Sequence, residues 1–291
     1  MAENKGYRIT TDNNVDLPDS YLKEHNLAVT YFTYTIDDVA YSSDDPNMGI
    51  HEFYDKMRGG SVVKTQQINP DQAIDFFRTY LQEGYDLLHV AFSSGLSGTF
   101  NNMRLAWDDL REEFPERKVI VVDSLCASMG QGLLVHKALE LQKEGKSMEE
   151  VARWLEENRL HLCHNFTVED LAYLHRGGRI SKTTAVVGTM LGIKPVLHVD
   201  DAGKLVPEGK IRGRKQSLIA LVDNMERKLG GYQNDVVFIS HGDCEEDALF
   251  VKDLVEKRFG IKAFVMGYIS PIIGAHSGPG TVALFFMGET R

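Results

Sequence analysis

Residues 88–110 read LHVAFSSGLSGTFNNMRLAWDDL, an apolar run that breaks into a serine- and glycine-rich turn and then resumes with helical spacing. Strand, loop and helix in that order put SSGLSGT, residues 93–99, at the carboxyl end of a strand and the amino end of a helix. Unpaired N–H groups and the helix dipole favour an anion at such a junction. Ser93, Ser94, Ser97 and Thr99 add hydroxyl donors, while Gly95 and Gly98 permit turns or close approaches closed to bulkier residues. On this stretch alone two readings stand: an anion site, and a helix cap with solvated serines. A nucleophilic serine fits less well. The hydrolase elbow needs G-x-S-x-G, whereas Gly98 follows Ser97 directly and Thr99 stands where the second glycine belongs. His241 or His276 could supply a base in space, but no carboxylate partner is identifiable from the sequence.

Outward from this unit the same rhythm repeats. The β-rich runs YRITTD, KVIVVDS, DVVFISH and KAFVMGYI alternate with amphipathic stretches, the pattern of an α/β protein. In NPDQAIDFFRTYLQEG, Asn69 caps, Pro70 occupies the first turn, Gln72 closes the cap and Gly84 stops the helix. KSMEEVARWLEENRL offers Ser147 and Glu150 as a capping box, with Met148, Val151, Trp154 and Leu155 on one face. This second helix leads into a bridge between halves. A chain of 291 residues divides by default into two domains, here 1–160 and 161–291, each with a β-sheet and packed helices, with one large α/β unit as the alternative.

The apolar fraction of 43% and the charged fraction of 25% are those of a globular chain without a disordered arm. A net charge of -10 disfavours nucleic acid and anionic membranes, which need cations at each phosphate contact. The opening MAENKGYRITTDNN lacks a signal-peptide core, and no run approaches the roughly 18 apolar residues of a membrane span. A cytoplasmic location without stable membrane insertion is expected. Cys126, Cys163 and Cys244 lie far apart and are odd in number, which suits buried thiols in a reducing compartment.

Other motifs carry less. HLCH puts His161, Cys163 and His164 together, but no second ligand pair follows, and strand alternation sends His164 away from the other two. No metal site is expected. HGDCEED, with His241 and Asp243, reads equally well as a helix start with acids near its positive end. There is no P-loop, and neither HRGGRI nor GAHSGPG is a dinucleotide fingerprint, so no nucleotide cofactor is implied. Arg176 and Arg179 flank two glycines, and His276 with Ser277 sits in a glycine-rich turn that exposes backbone N–H groups; an arginine that caps carbonyls and a histidine that packs in its turn are the commoner fates.

Taken together these blocks resemble the DegV family of bacterial fatty-acid-binding proteins. The likeness covers almost the whole chain: ITTDNNVDLP, KTQQINP, FSSGLSGTF, VVDSLCASMGQG, FTVEDLAYLHRGGRIS, MLGIKPVLHVDDAGKLVPEGKIRGRKQSL, ISHGD and IGAHSGPGTVALFF, in matching order and spacing. The first block departs from the family's D-S-x-x-D-L-P by carrying Asn13 after Asp12, and T-S-Q-P-S becomes TQQIN, with Gln66 and Ile68. The resemblance implies two α/β domains holding one long-chain fatty acid between them, its carboxylate near Thr65 and the serine loop. Ser97 is the first choice for the head-group contact and Ser94 the second. The family's further polar residues fall on Arg179 and His276, with a head-group or partner role. It also implies a carrier that presents its acid to a separate ATP-dependent fatty acid kinase for acyl-phosphate formation, with no catalytic residue of its own. The segment AVVGTMLGIKPVL reads equally well as tunnel lining and as ordinary core packing. The alternatives are a small-molecule phosphotransferase or an acyl-ester hydrolase using the Ser/Gly loop.

Overall fold

The computed structural model describes residues 5–181 and 192–291. The chain begins with β1 (Tyr7–Asp12), α1 (Asp19–Glu24), β2 (Ala28–Thr30), β3 (Thr33–Ile36) and β4 (Val39–Ser42). Next come α2 (Ile50–Arg58), β5 (Val63–Gln66), α3 (Pro70–Gln82), β6 (Asp86–Ala91), α4 (Thr99–Leu110) and β7 (Val119–Asp123). Helices α5 (Met129–Lys143) and α6 (Met148–Asn158) lead to β8 (Leu162–Thr167), α7 (Ala172–Arg176), β9 (Ile193–Val199) and β10 (Leu205–Arg212). The remainder is α8 (Arg214–Lys228), β11 (Val236–His241), α9 (Glu245–Phe259), β12 (Ala263–Tyr268), α10 (Pro271–Ser277) and β13 (Val282–Met287).

The fold is α/β with two domains, as the alternation predicts. Strands β2, β1, β6 and β7 form a parallel sheet in that order. The chain leaves β1 toward one edge and β6 toward the other, so their carboxyl ends frame a switch point, where crevices open in such sheets. Asp12 closes that point by accepting the Phe92 amide at 2.8 Å. A small antiparallel sheet, β4-β3-β5, sets Thr65 opposite Tyr34. The second half is built on the six-stranded sheet β10-β9-β8-β13-β11-β12, in which β11 and β12 run parallel.

Both expected caps form. Asn69 and Gln72 close a reciprocal box on α3, with Pro70 in its first turn, and Gly84 beyond its end takes a φ of +97°. Ser147 and Glu150 do the same for α6, which buries Met148, Val151, Ala152 and Leu155. Helix α5 behaves differently: every residue from Met129 to Val135 is buried, as in a helix surrounded by protein on all sides. It packs on β1 and β6 of one sheet and on β8, β11 and β13 of the other. One apolar cluster therefore runs from Ile9 and Val90 through Leu134 to Phe238 and Phe285. No helix among the described residues is long and apolar enough to cross a membrane. Of AVVGTMLGIKPVL, residues 185–191 lie outside the described residues; the rest opens β9, where Val196 and Leu197 are buried.

Candidate functional site

The Ser/Gly loop does sit between β6 and α4, yet its amides are already taken. Ser93 N donates to Cys126 O at 3.0 Å, and Leu96 N and Ser97 N both donate to Ser93 O at 3.1 Å. Ser94 N reaches Asp123 Oδ1 and Gly95 N reaches Ser93 Oγ, each at 3.1 Å. Gly98 N donates to Gln67 Oε1 at 3.1 Å and Thr99 N to Ser97 Oγ at 3.2 Å. Each amide from Ser93 to Thr99 is thus engaged within the protein, so the loop itself offers an anion no free backbone N–H group. Its glycines serve close approach: a Cβ on Gly95 would lie 2.5 Å from Ala202 O, and one on Gly98 2.5 Å from Gln67 Oε1. Ser93 Oγ ties the loop across to the β9–β10 turn through Gly203 O at 2.8 Å.

What the loop borders is a cavity of about 560 Å³, within the range of small-molecule sites, lined from both halves of the chain. Phe92, Phe166, Val199, Leu205, Ile272, Ala283 and Phe285 give it an apolar wall. Thr65, Ser97, Arg179 and His276 also line it. Thr65 Oγ1 and His276 Nε2 are 2.8 Å apart, joining β5 to α10. Arg179 donates to Gly177 O and, at 3.2 Å, to Leu96 O, next to Ser97. Gly177 is glycine for a reason: its Cβ would fall 2.0 Å from His276 Nδ1. Ser94, by contrast, is exposed and stands outside the wall. Arg176 is exposed too, over the Tyr173 ring.

The electrostatics are asymmetric. Burial, reinforced by the Arg179 charge, lowers the His276 pKa to about 4, so the imidazole is neutral at pH 7. Arg179 is half-buried, and burial lowers its pKa. Its partners are carbonyls; no carboxylate pairs with it among the described residues. A desolvated guanidinium without a counter-ion is suited to receive an anion.

Residues outside the motif reading also shape the site. Gln66 accepts from Thr33 Oγ1 at 3.1 Å and lines the cavity with Gln67, whereas Ile68 is plain core. Ser128 lines the cavity and bonds Asp16 Oδ2 at 2.5 Å and Ser240 Oγ at 2.8 Å. Asp16 Oδ1 accepts the Ser270 amide at 2.9 Å, at the start of α10. These partners are 112 and 254 residues apart, so no local pattern announces them. Burial pushes the Asp16 carboxyl from 3.8 up to about 7, against the hydrogen bonds from Ser128 and Ser270. The folded state thus keeps a proton that the unfolded chain releases, and this stabilisation is lost as pH rises through about 7. Asp16→Asn is expected to flatten the decline in melting temperature between pH 5.5 and 8, gaining about 1–3 kcal/mol over wild type at the upper end. Parallel pH profiles for the two proteins would locate the charge burden elsewhere.

The weaker motifs resolve into structure. Cys163 is buried in the core with Val196 and Phe286, while His164 turns to the cavity and accepts the Ala127 amide on Nε2 at 3.2 Å. The described residues contain no cluster able to hold a metal. Glu245, Glu246 and Asp247 occupy the first turn of α9, and Asp243 accepts from Arg58 at 2.6 Å and pairs with His51 at 2.7 Å on α2.

Comparison with known proteins agrees with this architecture. The model of the DegV family, described as uncharacterised proteins, matches residues 7–289. A DegV domain-containing protein of Clostridium perfringens is 40% identical over 288 residues, 99% of each chain. Another, from Lactococcus lactis, is 36% identical over 96% of each. Among solved structures, a DegV family protein of Thermus thermophilus described for its fatty acid binding superposes with a TM-score of 0.85 at 28% identity, covering 97% of this chain and 99% of that one. DegV of Bacillus subtilis, described as a fatty acid binding protein, gives 0.83 at 26% identity with the same coverage. With its motifs matched end to end and its fold shared, the chain belongs to the DegV family.

Proposed function

We propose that this protein binds one long-chain fatty acid in the cavity between its two domains, divided at residues 160 and 161, and serves as a carrier in the cytoplasm. The observation that carries the reading is Arg179, a half-buried cation without a carboxylate partner among the described residues, in the wall of an otherwise largely apolar cavity. Thr65 and Ser97 supply hydroxyl donors for the carboxylate, and His276 stands behind Thr65. With the loop amides engaged, side chains do the work that free N–H groups would do elsewhere. The tail needs only apolar area, which yields about 0.8 kcal/mol per methylene before ordering costs. Fatty acid binding described for the Thermus thermophilus and Bacillus subtilis relatives supports the ligand class. The head-group end of the site then offers the carboxylate to a separate ATP-dependent fatty acid kinase, which makes the acyl phosphate.

Protein purified without added lipid should release about one fatty acid per chain on organic extraction, measured by mass spectrometry. Thr65→Ala and Ser97→Ala should weaken retention by about 1–3 kcal/mol each, with melting temperatures near wild type. An empty extract together with no uptake of added long-chain acids would sink the carrier reading. Steady release of free acid from an acyl ester would favour a hydrolase instead.

A further inference from the structure

The carboxyl ends of parallel strands from both sheets border a second cavity of about 560 Å³. Asn13 follows β1, Tyr31 follows β2, His241 ends β11 and Tyr268 ends β12, and all four line it. Crevices at such strand ends are where open α/β sheets take their ligands. The hydrogen bond from Ser128 to Asp16 stands between the two cavities, since Ser128 lines the first and Asp16 the second.

An unmet donor opens on this space. His241 is 3% exposed, and its Nδ1 accepts the Cys244 amide at 3.3 Å. That bond leaves the proton of the neutral ring on Nε2. Burial lowers the His241 pKa, with Glu245 foremost among the charges that oppose the shift, so the ring is neutral at pH 7. Nε2 has no hydrogen-bond partner among the described residues, and it is not sealed in as the orphaned ring nitrogens of His89 and His164 are. An accessible donor without a protein acceptor thus lies in the cavity wall.

The surroundings select the ligand. Asp19 and Glu245, both exposed, put carboxylates at the rim, and no lysine or arginine lines the cavity among the described residues. An anion could accept from Nε2–H but would be repelled by these charges. An ammonium would suit the carboxylates but has no lone pair for Nε2–H. A hydroxyl does both. Two adjacent hydroxyls can accept from His241 while donating to Glu245, which begins α9 just beyond it. The half-buried rings of Tyr31 and Tyr268, with Leu17, Leu22 and Met266, provide apolar area for the C–H face of a sugar ring.

We propose that this second cavity binds a neutral vicinal diol on a ring, as in a sugar or the ribose of a nucleoside, with His241 Nε2 donating to one hydroxyl and Glu245 accepting from its neighbour. The site is independent of the fatty-acid reading, because neither residue borders the first cavity.

The test is ligand-observed NMR titration of the whole protein with methyl β-ribofuranoside, methyl α-glucopyranoside and adenosine. At least one should bind saturably, and its analogue lacking the two adjacent hydroxyls should bind about tenfold or more weakly. Adenosine well ahead of the riboside would identify a nucleoside; parity, or a lead for either glycoside, would identify a sugar. Ribose 5-phosphate and ethanolamine should both fall behind the best neutral probe. Glu245→Gln and His241→Asn should each weaken that probe about three- to tenfold, with the melting transition of wild type. Asparagine can still accept the Cys244 amide but does not reach as far as Nε2. Should His241→Asn melt early, the exposed Glu245→Gln alone decides. No binding of any of the three probes, equal binding of the dideoxy analogue, preference for the phosphate or the amine, or undiminished binding in Glu245→Gln would each overturn the assignment.

Discussion

With ATP and the matching kinase supplied, Arg179→Ala and His276→Ala are expected to lower acyl-phosphate formation by about tenfold or more while holding most of the fatty acid. The tail provides most of the binding free energy, so losing one head-group contact costs retention no more than the about 1–3 kcal/mol expected for Thr65→Ala or Ser97→Ala, and the acid stays bound at saturating concentration. The transfer step is different. An acyl phosphate carries more negative charge and more acceptor oxygens than a carboxylate, and Arg179 has no protein anion competing for its guanidinium among the described residues. His276 enters neutral, its pKa lowered to about 4 by burial and by Arg179, and approaching anions favour its protonated, donating form. Retention of a labelled acid and production of acyl phosphate would be measured on variants with unchanged melting transitions. Normal production from both would remove the pair from the transfer step. Equal losses in retention and production would confine them to holding the head group.

The second large effect concerns stability. Gly130→Ala should destabilise the protein by about 3 kcal/mol or more, a fall in melting temperature on the order of 10 °C. Alanine is normally the better helix residue by roughly 1 kcal/mol. Here its Cβ would sit 2.2 Å from His164 Nε2, 2.8 Å from Cδ2 and 2.9 Å from Cε1. The ring cannot simply swing aside, because it is 1% exposed, meets Phe285 edge-on at 5.3 Å and accepts the Ala127 amide. Shrinking it should help: Gly130→Ala combined with His164→Ala is expected to melt above the sum of the separate losses. A Gly130→Ala protein as stable as wild type would mean that the ring has another place to go.

Local chemistry was the legible part of this chain. Capping boxes at Asn69 and Ser147, the strand–loop–helix order around residues 93–99 and the acids at the start of α9 are set within a few residues, and sequence order suffices to read them. The family motifs named Thr65, Ser97, Arg179 and His276, and these four lie in one cavity wall. Ser94 has the same motif context as Ser97 but faces solvent, since the direction of a side chain in a tight turn depends on the tertiary ties of that turn. The fate of the loop amides was hidden for the same reason: Gln67 and Asp123 lie 31 and 29 residues from the groups they satisfy. Ser128 and Asp16 became visible only through burial and long-range pairing.

Helix α5, enclosed by both sheets, bears on how any ligand gets in and out. In hinge-type binding proteins two lobes swing about a connecting segment and the ligand is exposed when they part. Here such a swing would pull Leu133, Leu134 and Val135 out of a core to which both halves contribute, and would break the Asp16–Ser128–Ser240 link as well. Exposing each of those side chains costs about 1.5–3 kcal/mol, so lobe separation approaches the cost of unfolding. Exchange of any ligand must therefore proceed through local displacement of the wall, and the two halves should melt as one cooperative unit.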